Sequence, residues 1–281
     1  MREISIREVT QVVKRLCIEA NYSLREDVLS ALREALRVEE SLMGRKVLEW
    51  LVENARIARE EGIPICQDCG MVTVLLQLGQ GVRIVGGGLR GAIDRGVREG
   101  HREGYLRKSV IEDPCFSRRN TGDNTPAIIY TEVVPGDGLK VTVVPKGAGS
   151  DNSSALKMLN PTDGASGVKT LVLETVKKAG ANSCPPLVIG VGVGGSFDNV
   201  GLLSKKALLR PLDVANPDAR IAQLEREILE EVNDLGIGPA GFGGRVTALS
   251  VSIETSPTHM ASLPVAVNLG CHALRSAEAA L

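Results

Sequence analysis

The chain has 281 residues, 24% charged and 43% hydrophobic, a composition that suits a soluble globular protein and argues against disorder. Its formal net charge of -1 supplies no basic excess to recruit nucleic acid or an anionic membrane, although a small anionic substrate needs only local Arg, Lys or peptide N–H groups. No run approaches the roughly 20 apolar residues of a membrane span, and the opening Met-Arg-Glu-Ile-Ser-Ile lacks an apolar signal core, so the cytoplasm is the expected compartment.

Aromatic residues are only 2% of the chain and there are 31 glycines, so the core must be built from Val, Leu, Ile and Ala with backbones in close approach. Residues 6–21 carry Ile6, Val9, Val12, Val13, Leu16 and Cys17 at helical spacing, which makes Cys17 a packing residue. Helices at about 25–40 and 44–61 follow, the last ending at Gly62 with Pro64 beyond, and the three together predict a helical layer over residues 1–63. After the stretch Gly62-Ile-Pro-Ile-Cys-Gln-Asp-Cys-Gly70 the period changes. Residues 71–78 and 82–85 read as strands, 88–103 as a charged helix in which His101 faces solvent, and 118–124 as a polar loop. Pro126–Val134 and Leu139–Val144, joined by Pro135-Gly-Asp-Gly138, predict a hairpin. The loop Pro145-Lys-Gly-Ala-Gly-Ser-Asp-Asn152 offers amides to an anion. Helices at about 163–180, 196–208 and 218–235, strands at 187–193, 246–253 and 263–268, and a terminal helix from about 271 complete the pattern. The fold class expected is α+β, an N-terminal helical layer followed by a mixed α/β region with antiparallel strands over 64–281, forming a single domain over 1–281.

Six cysteines spread over this length do not make a secreted disulfide framework. Cys66-x-x-Cys69 lacks the second pair of a structural zinc site and the strand-to-helix setting of a thioredoxin-like pair. Cys184, before Pro185-Pro186, and Cys271, after Leu269-Gly270 at the predicted start of a helix, lie where regular elements begin or end. Such positions provide N–H groups that stabilise thiolate and sulfide charge, while buried thiols remain the plain alternative. Gly190-x-Gly192-x-x-Gly195 formally matches a dinucleotide fingerprint, but the acidic residue at the end of the next strand is missing, and a Gly-lined approach of backbone to a cluster near Cys184 is preferred.

Five segments occur in series: Cys66-Gln-Asp, Asn120-Thr-Gly-Asp-Asn, Lys146-Gly-Ala-Gly-Ser-Asp-Asn, Ser183-Cys-Pro-Pro-Leu-Val-Ile-Gly-Val-Gly-Val-Gly-Gly and Gly270-Cys-His-Ala-x-Arg. Together they resemble the alpha subunit of the class I, iron–sulfur-dependent fumarate hydratase and L-tartrate dehydratase family, over about residue 5 to the C-terminus. The resemblance implies a [4Fe-4S] cluster held by Cys66, Cys184 and Cys271, with one iron open to substrate. It implies Asp68 and His259 as catalytic groups, and Gln67, Asp68, Arg107, Gly147, Gly149 and His259 as binding groups for a dicarboxylate. His272 and Arg275 are expected to support the third cysteine, and Cys69 to be an inert side chain where the family usually has Thr. Cys115 receives no role. The implied reaction is reversible hydration of fumarate to malate, with tartrate dehydration to oxaloacetate as the alternative. Because the chain ends soon after Cys271, the resemblance also implies a separate beta subunit and an alpha2–beta2 assembly. A reading of another class is a non-catalytic zinc- or thiol-bearing binding protein.

Overall fold

A computed structural model of the chain describes residues 2–281, and its contacts group them into two compact units. One takes residues up to Arg25, Asn54–Ala148 and Arg275–Leu281; the other takes Glu26–Glu53 and Gly149–Leu274. Helices and mixed sheets make each an α+β assembly.

The first unit begins with strand β1 (Arg2–Ser5), which sequence reading missed, and helix α1 (Ile6–Tyr22). The Ser5 hydroxyl accepts the Glu8 N–H while the Glu8 carboxylate accepts the Ser5 N–H, so two orphan donors of the first turn are satisfied reciprocally. Val9, Val13, Leu16, Cys17 and Ala20 form one buried face of α1. That face packs on helix α4 (Leu89–Glu103), on which Gly96 and Gly100 allow close approach: a Cβ at Gly96 would lie 2.8 Å from the Thr10 carbonyl oxygen. The sheet beneath has the order β10 (Ala277–Ala280), β5 (Leu139–Lys146), β2 (Met71–Gly79), β4 (Ile128–Val134), while β1 pairs in parallel with β3 (Val82–Val85).

Three expectations fail in this unit. The predicted 126–144 hairpin reverses direction, but β2 lies between its arms, antiparallel to β5 and parallel to β4. Val72, Val74 and Leu76 bury β2 at the sheet centre, and its turn locks into the 135–138 loop through Gly79 N–H to Gly138 O and Gly81 N–H to Gly136 O, both 2.8 Å. Alternation reveals a strand but not its neighbour. The terminal helix is absent: Ala277–Ala280, helical by propensity, instead joins β5 as an edge strand in the register Ala277↔Val143. The helical layer also dissolves, because α1 packs on α4 while α2 (Glu26–Val38) packs on a strand of the second unit.

The second unit is built on the sheet β6 (Ala155–Leu159), β9 (Leu263–Gly270), β7 (Leu187–Gly194), β8 (Ala248–Ser256). β7 sorts its residues by alternation. Leu187, Ile189 and Val191 join the core formed with helices α6 (Gly164–Ala179) and α8 (Ala219–Asn233). Gly190 and Gly192 face helix α7 (Val200–Ala207), where added Cβ atoms would lie 2.3 Å from Ser204 O and 2.4 Å from Val200 O. These two glycines therefore serve helix-on-strand packing, which corrects the expected approach of this backbone to a cluster.

One buried carboxylate organises the same unit. Glu39, 2% exposed, accepts the N–H groups of Glu40, Ser41, Arg245 and Val246 at 2.8–2.9 Å. Burial alone would raise its pKa, but the four N–H bonds win and hold it below the ordinary carboxylate value. A carboxylate with a depressed pKa stabilises the fold fully above its unfolded-state pKa, and the contribution is lost as pH falls through the folded value. Glu39→Gln is expected to cost about 1.5–3 kcal/mol at neutral pH, and the gap between variant and wild type in urea melts should close as the pH is lowered below about 4. Gly190→Ala should cost about 1–3 kcal/mol through overpacking against α7, read in the same melts.

Candidate active site

In the first unit, α3 (Leu42–Glu61) ends where Gly62 turns to φ +63° and Pro64 prevents continuation. The loop that follows is bonded at almost every residue. Ile65 donates its N–H to Asn21 O at 2.9 Å and accepts from Asn54 Nδ2 at 2.8 Å. Cys66 is half-buried, and its Sγ accepts the Asp68 N–H at 3.4 Å. The Asp68 carboxylate accepts the Gly70 N–H on Oδ1 (3.0 Å) and the Ala148 N–H on Oδ2 (2.8 Å). Gly147 makes room for this, since a Cβ there would sit 3.1 Å from Asp68 Oδ2. Gly70, at φ +73°, passes so close to Lys146 that a Cβ would be 2.5 Å from its carbonyl carbon. Gln67 is exposed beside Cys66.

Arg275 holds the loop from below. It is 3% exposed, donates Nη2 to Asp68 O at 2.6 Å and Nη1 to Asn21 Oδ1 at 3.1 Å, and its buried Nε has no partner among the described residues. It therefore serves the first cysteine's loop, not the third cysteine as expected. Arg107 lies on the segment after α4 with an exposed side chain, and its N–H donates to Cys69 Sγ at 3.1 Å. Cys69 is buried, which raises its pKa against the lowering effect of that N–H, so it stays a thiol. His101, expected in solvent, is 1% exposed: α4 turns it inward, where Nδ1 meets Val97 O at 2.9 Å and Nε2 meets Asn124 Nδ2 at 2.8 Å. Burial lowers its pKa and keeps it neutral.

In the second unit, a short turn at Gly180–Ser183 delivers Cys184 with φ +54° and an exposed side chain. Its carbonyl accepts the His272 N–H at 3.3 Å and meets His272 Nδ1 at 3.1 Å, which joins the segments of the second and third cysteines. Cys271 is half-buried at the end of β9 in a turn closed by Leu274 N–H to Cys271 O, so no helix N-terminus faces it, contrary to expectation. Gly149 is exposed in the short helix Ala148–Asp151, with a virtual Cβ 3.5 Å from Asn182 O. His259 is exposed in the turn between β8 and β9, where Nδ1 accepts the Ala261 N–H at 3.2 Å.

The remaining thiols differ in kind. Cys17 is fully buried and pushed up to about 12, a packing group, and Cys115 is exposed in a loop. None of the six is in a disulfide. Among the described residues no group of three His, Cys, Asp or Glu is gathered as a metal-ion site. The donors nonetheless suit an iron–sulfur group in chemistry: Cys66, Cys184 and Cys271 are loop thiols open to solvent, one already receives an N–H bond, and the Cys66 loop rests on a buried guanidinium with a spare donor. Sequence reading missed the Arg275 clamp and Asn124. The Asn-Thr-Gly-Asp-Asn run was the available signal, since a left-handed Asn in a polar loop needs a reason to be buried.

The sequence profile of the family described as fumarate hydratase (Fumerase) matches residues 10–280. A Methanocaldococcus jannaschii protein that carries the provisional name L(+)-tartrate dehydratase subunit alpha is 41% identical over 279 residues, covering 96% of each chain. The L(+)-tartrate dehydratase subunit alpha of Escherichia coli strain UTI89 is 30% identical over 276 residues, covering 98% of this chain and 91% of its own. The subunit of that name from strain K12 is 29% identical over the same coverage. A profile match across nearly the whole length, with relatives covered end to end, means that this chain belongs to the fumarate hydratase family of hydro-lyases and is an enzyme.

Proposed function

We propose that this chain is the alpha subunit of a [4Fe-4S] hydro-lyase that reversibly hydrates fumarate to malate. The observation that carries the reading is the Cys66-Gln67-Asp68 loop: an accessible thiol with an N–H bond to sulfur, followed by a carboxylate whose two oxygens are each fixed by a backbone N–H. A second reading, L(+)-tartrate as substrate, is favoured by the names of the relatives, and it is the same elimination with one more hydroxyl. Their designation as subunit alpha supports a beta subunit as partner, and we assign an alpha2–beta2 assembly in the cytoplasm.

Cys66, Cys184 and Cys271 would hold the cluster. When bound, it supplies Lewis acidity toward a hydroxyl and a carboxylate of the substrate. Asp68 keeps lone pairs beyond its two N–H bonds, so in hydration it takes a proton from the attacking water as the C–O bond forms, and in the reverse direction it returns that proton to the leaving hydroxyl, which departs as water. The exposed Arg107 guanidinium provides two parallel donors for one carboxylate, and His259 is assigned to carboxylate binding and proton exchange. Gln67 and the peptide N–H groups of Gly147 and Gly149 add neutral donors. The proton on the adjacent carbon is assigned to a base of the beta subunit.

Anaerobically purified complex of both subunits should interconvert fumarate and malate in a coupled assay; turnover of tartrate alone would replace the first reading with the second, and turnover of neither would overturn both. Iron and sulfide should accompany the chain and be lost in Cys184→Ser, whereas zinc in place of iron and sulfide would restore the non-catalytic reading. Asp68→Asn should lower kcat by roughly 100- to 10,000-fold while iron and sulfide are retained.

A further inference from the structure

Two buried polar residues outside the catalytic set tie together the two loops that carry it. Asn124, fully buried at φ +63°, accepts the Ser109 N–H on Oδ1 at 2.7 Å. Its Nδ2 donates to Gly70 O at 3.1 Å and to His101 Nε2 at 2.8 Å. Ser109 is two residues past Arg107, and Gly70 is two residues past Asp68. The amide orientation is fixed, because the oxygen must face the Ser109 donor. Its two hydrogens then need two acceptors, so His101 Nε2 carries no proton and Nδ1–H donates to Val97 O. A leucine at position 101 would fill the core as well, but it would leave one amide hydrogen of Asn124 buried and unmatched. A parallel tie runs from Arg107 N–H to Cys69 Sγ.

We propose that His101 and Asn124 are a positioning pair that holds the Arg107 segment against the Cys66–Gly70 loop and thereby sets the affinity for a dicarboxylate. The proposal rests on the hydro-lyase reading for its substrate, but the tie itself is independent of it. An ordinary buried histidine would only stabilise the core. This one is bonded through a single amide to the main chains of both loops, so its loss moves a carboxylate-binding cation relative to Asp68, where displacements of about 1 Å are costly.

The test uses the two-subunit enzyme carrying His101→Leu, His101→Gln or Asn124→Asp. Gln keeps an acceptor near the Nε2 position. Asp tolerates the left-handed backbone and still accepts from Ser109, but it offers Gly70 O no donor. In His101→Leu, KM for malate should rise about tenfold with kcat within about threefold, an effect of roughly 1.4 kcal/mol on binding. Amide exchange should quicken in segments 66–71 and 105–110 while β5 and α4 keep wild-type protection, and His101→Gln should restore both readouts. Asn124→Asp should free 66–71 and leave 105–110 protected. Unchanged KM, unchanged exchange, or exchange raised across the whole unit would overturn the pair as a positioning device. If the wild-type complex turned over neither fumarate, malate nor tartrate, the functional reading would fail, and the exchange pattern alone would still decide the tie.

Discussion

The Cys66–Gly70 loop depends on hydrogen bonds that remote segments make to one short stretch of main chain. Between Ile65 and Gly70 the backbone is neither helix nor strand, so it forms no ladder of its own, and of its N–H groups those of Asp68 and Gly70 find partners in side chains of the same stretch. Asn21, Asn54, Arg275 and Asn124 supply partners to its main chain, drawn from two helices, the C-terminal segment and a loop, while the Ala148 N–H fixes the Asp68 carboxylate. Leaving any one buried group unpaired costs about 1–3 kcal/mol, so the loop has a single arrangement that satisfies all of them together.

That arrangement explains why the last residues form a strand. β5 ends at Lys146, opposite Met71 and against Gly70. Pairing Ala277 with Val143 in an antiparallel register places Arg275 at the level of Pro145, next to the turn that presents Gly147 and Ala148 to Asp68. The guanidinium then reaches Asp68 O, and no carboxylate pairs with it among the described residues. A cation buried without a counter-charge is costly, and its charge-assisted bonds to Asp68 O and Asn21 Oδ1 offset part of that cost. The glycines follow from the same tightness, since Gly70 and Gly147 each exclude a Cβ that would collide with the main chain or with Asp68.

Much of this was legible from residue order. Periodicity located α1, α6, α8 and the strands β2, β5, β7 and β9, because each has a face that is buried over its whole length. The motif segments singled out the three cysteines and Asp68 as candidates, and Cys17 was rightly read as packing. Pairing was not legible: nothing local in Ile128–Val134 says that β2 will separate it from β5, and nothing in Ala277–Ala280 overrides helix propensity. His101 reads as exposed because its charged neighbours Arg98, Arg102 and Glu103 dominate this part of the helix, whereas it continues the buried row of Ile93 and Val97 and finds its polar partner in Asn124, 23 residues on. Glu39 gave no signal, since its four donors come from its own turn and from Arg245 and Val246.

Cys69 shows how such a framework uses a buried thiol. A Thr hydroxyl, which the motif resemblance leads one to expect after Gln-Asp, could accept an N–H bond from the neighbouring loop. The Cys69 sulfur does so too, taking the Arg107 N–H at 3.1 Å. Burial holds the proton on sulfur, and a neutral thiol accepts an N–H without adding negative charge beside Cys66 and Asp68. The second cysteine of the C-x-x-C pair is therefore a structural acceptor, and the spacing that looks like a metal or redox motif follows from two separate demands on one loop.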